Sequence, residues 1–523
     1  MRTVHTTQMS LGQLDIASIK LNLKSRDDIP VILLGLQQIY ITPELRDAVF
    51  KILIQVVPKR SGKGLTEVQQ RQQASSERGR PGMEQWKILV LGVLRLGLNT
   101  DHDRIHELAN HHGTIRQMLG HSEWYDETQY SLQAIKDNLS LFTPEILEQI
   151  NQEVIKAGHI LVKKSPKGGP TDKNSDPETT AEKSPSEILR GRCDSFVVET
   201  NVHFPTDINL LYDAVRKSIE GSAQLADRYS LLGWRQSRHN IKQFKAQYRR
   251  IQKLKHSTSQ DERQKQKRED ELELEYITYL QMGAQWLEKT EQTLQQALAC
   301  GAMVLETLQL EQYQRDGHLL MDQIHRRVIF GEKIPHSEKI FSIFEPHTEW
   351  ISKGKAGVPV ELGLRVCIME DQHQFILHHQ VMEQQTDDKV AVEMVTESQK
   401  RFPQLAVASF DKGFHSPQNQ NDLKEHLDQV ILPKKGRLSE ADKQREGSDE
   451  FKKLRNRHSG VESAINGLEH HGLDICPDHG IVGFKRYVAV AVLSRNIKRL
   501  GTLVRQQARE KEERKRGCYK KAA

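Results

Sequence analysis

At 523 residues, with 37% hydrophobic and 28% charged residues, the chain is too long for a single core and too polar to be mostly interior; two to four domains with exposed helices and connections are expected. The formal net charge of +6 is too small to imply a polyanionic partner by itself, so any such argument must come from where the charge clusters. Five cysteines at 193, 300, 367, 476 and 518 lie far apart, with no CxxC pair and no histidine cluster at zinc spacing, which excludes a disulfide framework and a zinc site and fits a reducing cytosol.

The first fifteen residues lack the apolar core of a signal peptide. The stretch "ILVLGVLRLGL" from Ile88 is too short to span a bilayer and carries Arg95. A soluble, cytoplasmic protein with no membrane partner is the expectation. Residues 30 to about 163 read as helices, and Trp86, Val90, Val93, Leu94 and Gly97 recur at helical spacing. Thr100 or Asp101 is a plausible N-cap for the next helix. Residues 1–163 are therefore expected to form an all-α N-terminal, DNA-binding domain, with a helix-turn-helix between 84 and 120 as its weakly signalled reader. Ahead of it, Arg78-Gly79-Arg80-Pro81 matches the core of a minor-groove hook, a tetrapeptide that is also common by chance.

Residues 164–187 are rich in Pro, Gly, Ser and charge and read as a flexible linker. A strand follows, "RCDSFVVETNVHFPTD", with Asp194 near its head. Strands are poor in Asp, so this acid is either a turn residue or a ligand held rigid by the strand. From 207 to about 330 the texture is helical again, an insertion with an antiparallel hairpin whose exposed connection is "STSQDERQKQKRED". Its first arm carries Arg235, Arg238, Lys242, Lys245, Arg249 and Arg250, a row suited to neutralising phosphates in a salt-dependent way; a solvated helix face explains the row nearly as well.

From 338 onward, alternating β-branched and aromatic residues mark strands, followed by helix, strand, helix, strand and a long closing helix. Without the insertion this is a mixed α/β domain with a central sheet, over residues 188–502. Asp411 ends the buried run Leu405 to Phe410 just before a glycine turn, where open α/β sheets build their sites. Glu462 lies on a helix with a buried stripe of Val461, Ile465 and Leu468, closed by Gly472. Taken singly, a turn role for Asp411 and a solvated face for Glu462 are the commoner explanations. Together, three carboxylates from two strands and a helix suit hard-cation chemistry, and no GxxxxGK[ST], GxSxG or HExxH motif competes. On the closing helix Lys485, Arg486, Arg495, Lys498 and Arg499 would lie near this site and grip a DNA strand. Residues 503–523 read as a charged, disordered tail.

These segments taken in order carry a resemblance. "DSFVVETNVHFPTD", "EPHTEWISKGKAGVPVELGLRV", "FDKGFHS" and "RHSGVESAINGLEHHGLDICPDHGIVGFKRYVAVAVLSRNIKRLG" resemble the catalytic segments of bacterial insertion-sequence transposases of the DDE type, closest to the ISNCY family, over roughly residues 80 to 502. The resemblance implies an RNase H-like core and a triad of Asp194, Asp411 and Glu462. It also implies two divalent ions, Mg²⁺ or Mn²⁺, and cleavage and 3′-hydroxyl joining at the terminal repeats of a mobile element. Double-stranded DNA, both element ends and target, is the implied partner, with a homodimer or larger assembly on paired ends in a bacterial nucleoid. Asp411 and Glu462 are 51 positions apart, so the insertion falls between the two aspartates. One departure stands out: related enzymes have Tyr and Arg before the glutamate and Lys after it, where this chain has Arg455, His458 and Glu469. Arg455, Arg457 and His458 are candidate DNA contacts, although His458 reads equally as a surface histidine. A DNA-binding repressor without catalysis and a metal-dependent nuclease that does not join are the alternatives.

Overall fold

The computed structural model describes residues 2–6, 8–9, 11–57, 82–122, 126–164, 188–256, 261–352 and 359–522. The hook at 78–81 and residues 165–187 of the expected linker lie outside them. The chain divides into two compact units, one of residues 1–199 and 363–523 and the other of residues 200–362.

In chain order the first unit opens with α1 (Asp28–Ile41), α2 (Pro43–Leu53), α3 (Gln85–Gly97), α4 (His102–His111), α5 (Gly113–Met118), α6 (Leu132–Leu139) and α7 (Pro144–Lys164), followed by the strand β1 (Leu189–Thr200). Asp27 and Asp101 cap α1 and α4, their carboxylates accepting from the N–H groups of Ile29 and Arg104. The second unit supplies α8 (Asp207–Arg228), α9 (Ser237–Lys255), α10 (Glu262–Ala299), α11 (Val304–Val328) and the short β2 (Glu349–Ser352). The chain returns through β3 (Val360–Asp371), β4 (Ile376–Met382), α12 (Asp387–Arg401), β5 (Leu405–Phe410), α13 (Pro417–His426), β6 (Gln429–Ile431), α14 (Glu440–Gly447), α15 (Asp449–His458), α16 (Gly460–Leu468), β7 (Ile475–Cys476) and α17 (Gly480–Ala522).

The fold is mixed α/β, with helices flanking one mixed sheet of seven strands. β3 runs antiparallel to β1 and to β4, while β5 runs parallel to β1 and β6 parallel to β5. The N-terminal helices do not form the separate domain expected for residues 1–163. Trp86, Leu89 and Leu94 of α3 share one core with Phe196 and Val198 of β1, Val366 of β3 and Val492 and Ile497 of α17. The reason is visible in α3, whose apolar residues surround the helix so that every side is buried. A helix enclosed in this way cannot present a face to a DNA groove, so the proposed reader at 84–120 loses its first helix.

α17 does not stop at residue 502 but continues through the expected tail to Ala522. Leu503 packs on the sheet's second core, Gln507 donates to Leu161 O and Arg509 to Leu23 O, so this stretch has partners a free tail would lack. The insertion is also longer than expected, reaching 362 rather than about 330, and α10 begins at Glu262, turning most of the expected connection into helix. The second unit has its own core, in which Phe244 of α9 stacks on Tyr279 of α10 beside Leu211 and Val215 of α8 and Leu320 of α11. No helix among the described residues is long and apolar enough to cross a membrane.

Candidate active site

Asp194 lies in the middle of β1, opposite Ile368 of β3, and is partly buried. On the other side of β1, Cys193 pairs with Phe410, the last residue of β5. Continuing that parallel register sets Asp411 next to Asp194 on the neighbouring strand. Asp411 is exposed and precedes a short 3₁₀ turn at Lys412–Phe414, but its carboxylate does not cap that turn. The turn-residue explanation therefore leaves the acid without the bond that would justify it. Glu462 is exposed near the start of α16, close enough to act on Asp194 electrostatically.

Electrostatics tie these acids together. Burial pushes the Asp194 carboxyl up to about 6, with the charges of Asp411, Asp387 and Glu462 pushing the same way; the N–H of Ser195, 2.8 Å from Oδ1, offsets this only in part. Asp387 is the residue the sequence reading missed. It opens α12, and its Oδ1 accepts a 2.6 Å hydrogen bond from Ser195 Oγ, directly after Asp194. Gly413 belongs to the same arrangement, since a Cβ there would fall 2.9 Å from Asp387 Oδ2. The only sequence signal was the run Thr386-Asp387-Asp388, which reads as an ordinary helix start.

His458 ends α15 and turns inward, its Nδ1 3.0 Å from Ser409 Oγ on β5 and its Nε2 buried without a hydrogen bond. Burial holds it down to about 4, with nearby Asp411 opposing that shift and Arg192 adding to it. At neutral pH it is an uncharged group beside the acids rather than a cationic phosphate contact. Arg455 and Arg457 are exposed on the same helix.

The five basic residues of α17 expected to grip DNA all have partners within the first unit. Lys485 pairs with Glu383, Arg486 with Asp478, Arg495 with Glu370 and Lys498 with Asp28, while Arg499 donates to His373 O. The freer charge is on α9. Arg235, Arg238, Lys242, Lys245, Arg249 and Arg250 are all exposed, and the 19-residue helix contains no Asp or Glu. Arg238, Lys242, Lys245 and Arg249 follow a four-three-four spacing along one face, with Phe244, Gln247 and Ile251 buried on another.

No protein-family model, curated protein or solved structure matches this chain. Among the described residues no three His, Cys, Asp or Glu side chains converge as a finished metal cage would. The donor chemistry nonetheless suits a hard cation: four carboxylates supply only oxygen, and both the burial that chiefly raises Asp194 and the repulsion that adds to it are what a divalent ion would offset.

Proposed function

We propose that the chain is a DNA transposase of the DDE type, cleaving DNA strands at element ends and joining the 3′-hydroxyls to target DNA. The observation that carries this reading is the β1–β5 register, which ends one residue before Asp194 and Asp411, two acids that act on one another together with Glu462. The mixed sheet flanked by helices is compatible with the RNase H-like type that the sequence resemblance implies.

In this reading Asp194, Asp411 and Glu462 hold two Mg²⁺ or Mn²⁺ ions, with Asp387 fixing Ser195 beside the first ligand. Bound divalent ions supply activation of a water or 3′-hydroxyl and stabilisation of the leaving oxygen of a phosphodiester. Neutral His458, bonded to Ser409 Oγ on β5, sits buried within electrostatic reach of Asp411 and adds no charge there. The acid-free face of α9 binds duplex backbone without regard to sequence. Assembly as a homodimer on paired ends, and residence on the nucleoid of a bacterial cytoplasm, belong to the same proposal.

The test is end-labelled DNA flanking the gene, incubated with the full chain and Mg²⁺ or Mn²⁺, comparing wild type with Glu462→Gln. Cleavage at a discrete site and joining, both lost in a variant that still binds DNA, are expected. Cleavage without joining would replace the proposal with a nuclease, and binding without cleavage by either protein would replace it with a repressor.

A further inference from the structure

Two residues before Asp194, Arg192 faces Glu370 across the β1–β3 pairing. The Glu370 side chain is 1% exposed, yet it meets two guanidinium groups. Its Oε2 lies 2.8 Å from Arg192 Nη2, an ion pair without hydrogen-bond alignment, and its Oε1 lies 3.5 Å from Nη2 of Arg495 on α17.

Both guanidinium groups also meet α16, the helix that carries Glu462. Arg192 Nη1 is 3.5 Å from Arg457 O at the α15–α16 joint, and a Cβ built on Gly460 would fall 1.9 Å from the same nitrogen. A Cβ on Gly467 would fall 2.4 Å from Arg495 Nη1. Gly460 and Gly467 are seven residues apart, about two helical turns, so they lie on one face of α16. That face rests on two planar cations, at points where a side chain would have to displace either a guanidinium held by Glu370 or the helix itself.

Stability alone does not explain this arrangement. Removing a carboxylate and two guanidinium groups from water costs much of what their attraction returns, and apolar residues of the same volume often hold a fold as well. A shared carboxylate between two rigid forks does define a register.

We propose that Glu370, Arg192 and Arg495 form a positioning clamp that fixes α16, and with it Glu462, relative to Asp194 on β1. The inference rests on the cation-binding reading of those two acids. The clamp residues touch no reacting atom and act through the placement of Glu462. Their role also gives Arg495 a task different from the DNA contact expected of it.

The experiment titrates Mn²⁺ into the full chain and follows the free ion by electron paramagnetic resonance, so its readout is affinity and not activity. Wild type is expected to bind two ions, one weakened by Glu462→Gln. Glu370→Gln and Gly467→Ala are each expected to weaken that same ion by about tenfold, leave the other unchanged, and add nothing when combined with Glu462→Gln. Gly467→Ala keeps every charge and adds one methyl group, so it decides the matter if Glu370→Gln does not fold. Wild-type affinity in both clamp variants, with Glu462→Gln still defective, would overturn the clamp and leave the cation reading standing. No Mn²⁺ bound by wild type would overturn both.

Discussion

Asp194 carries a free-energy cost that the fold alone does not require. Its carboxyl is raised to about 6, first by burial and then by three neighbouring acids, so keeping it ionised above that pH works against folding. Without divalent cations, Asp194→Asn should stabilise the protein at pH 7.5 by roughly 1–3 kcal/mol, given that each pKa unit is worth about 1.4 kcal/mol. Urea denaturation in the presence of a chelator measures this, and a variant less stable than wild type would show that the acids do not strain one another. Adding Mn²⁺ should reverse the order, since only wild type retains the full ligand set. At this scale the sequence was informative where an acid interrupted a pattern, as Asp194 does in a strand and Asp411 after one. It was uninformative for Asp387, because an acid at a helix start is the commonest place to find one.

At the scale of elements, strand and helix order was readable from alternation and turn residues, but the partners of the N-terminal helices were not. One close backbone approach in the first unit joins α1 to α17. A Cβ on Gly35 would fall 2.2 Å from Ile497 O, and one on Gly501 would fall 2.0 Å from Val31 O. These glycines are 466 positions apart, and no local pattern announces that they meet. The uniformly apolar α3 signals burial without saying against what, and its partners in β1, β3 and α17 lie far along the chain. Because backbone opposes the new methyl group on both sides, Gly35→Ala should cost about 2 kcal/mol or more. In urea its effect should fall on the transition of the first unit, and an unchanged midpoint there would mean that α1 can shift without penalty.

For the whole molecule, acid should be more damaging than the net charge suggests. His102, His379, His458 and His471 are each pushed down to about 4, chiefly by burial, so between pH 6.5 and 4 the unfolded chain takes up protons that the folded chain refuses. Glu370, raised to about 7 by burial, and Asp194, raised to about 6, act in the opposite direction but are fewer. Below about 4.5 the loss deepens, because the unfolded chain protonates Glu84 and Glu148, which in the fold, despite burial, are held down to about 2 by hydrogen bonds and nearby positive charge. Stability should therefore fall steadily from pH 6.5 to 4, and urea midpoints that hold level across that range would contradict the balance. The division into two units leads to a further prediction. Glu199 and Gly363, where the chain leaves and re-enters the first unit, are direct partners in the β1–β3 ladder, so a turn of two to five residues can replace 200–362 and close a hairpin. The shortened chain should unfold cooperatively and keep Mn²⁺ binding, because Asp194, Asp387, Asp411 and Glu462 all remain. Its affinity for duplex DNA should lose salt sensitivity, the slope of log K against log salt shrinking by about 0.9 for each phosphate contact removed with Arg238, Lys242, Lys245 and Arg249. An unchanged slope would mean that the basic face of α9 is only a solvated surface, and failure to unfold cooperatively would mean that the first unit needs the insertion to fold.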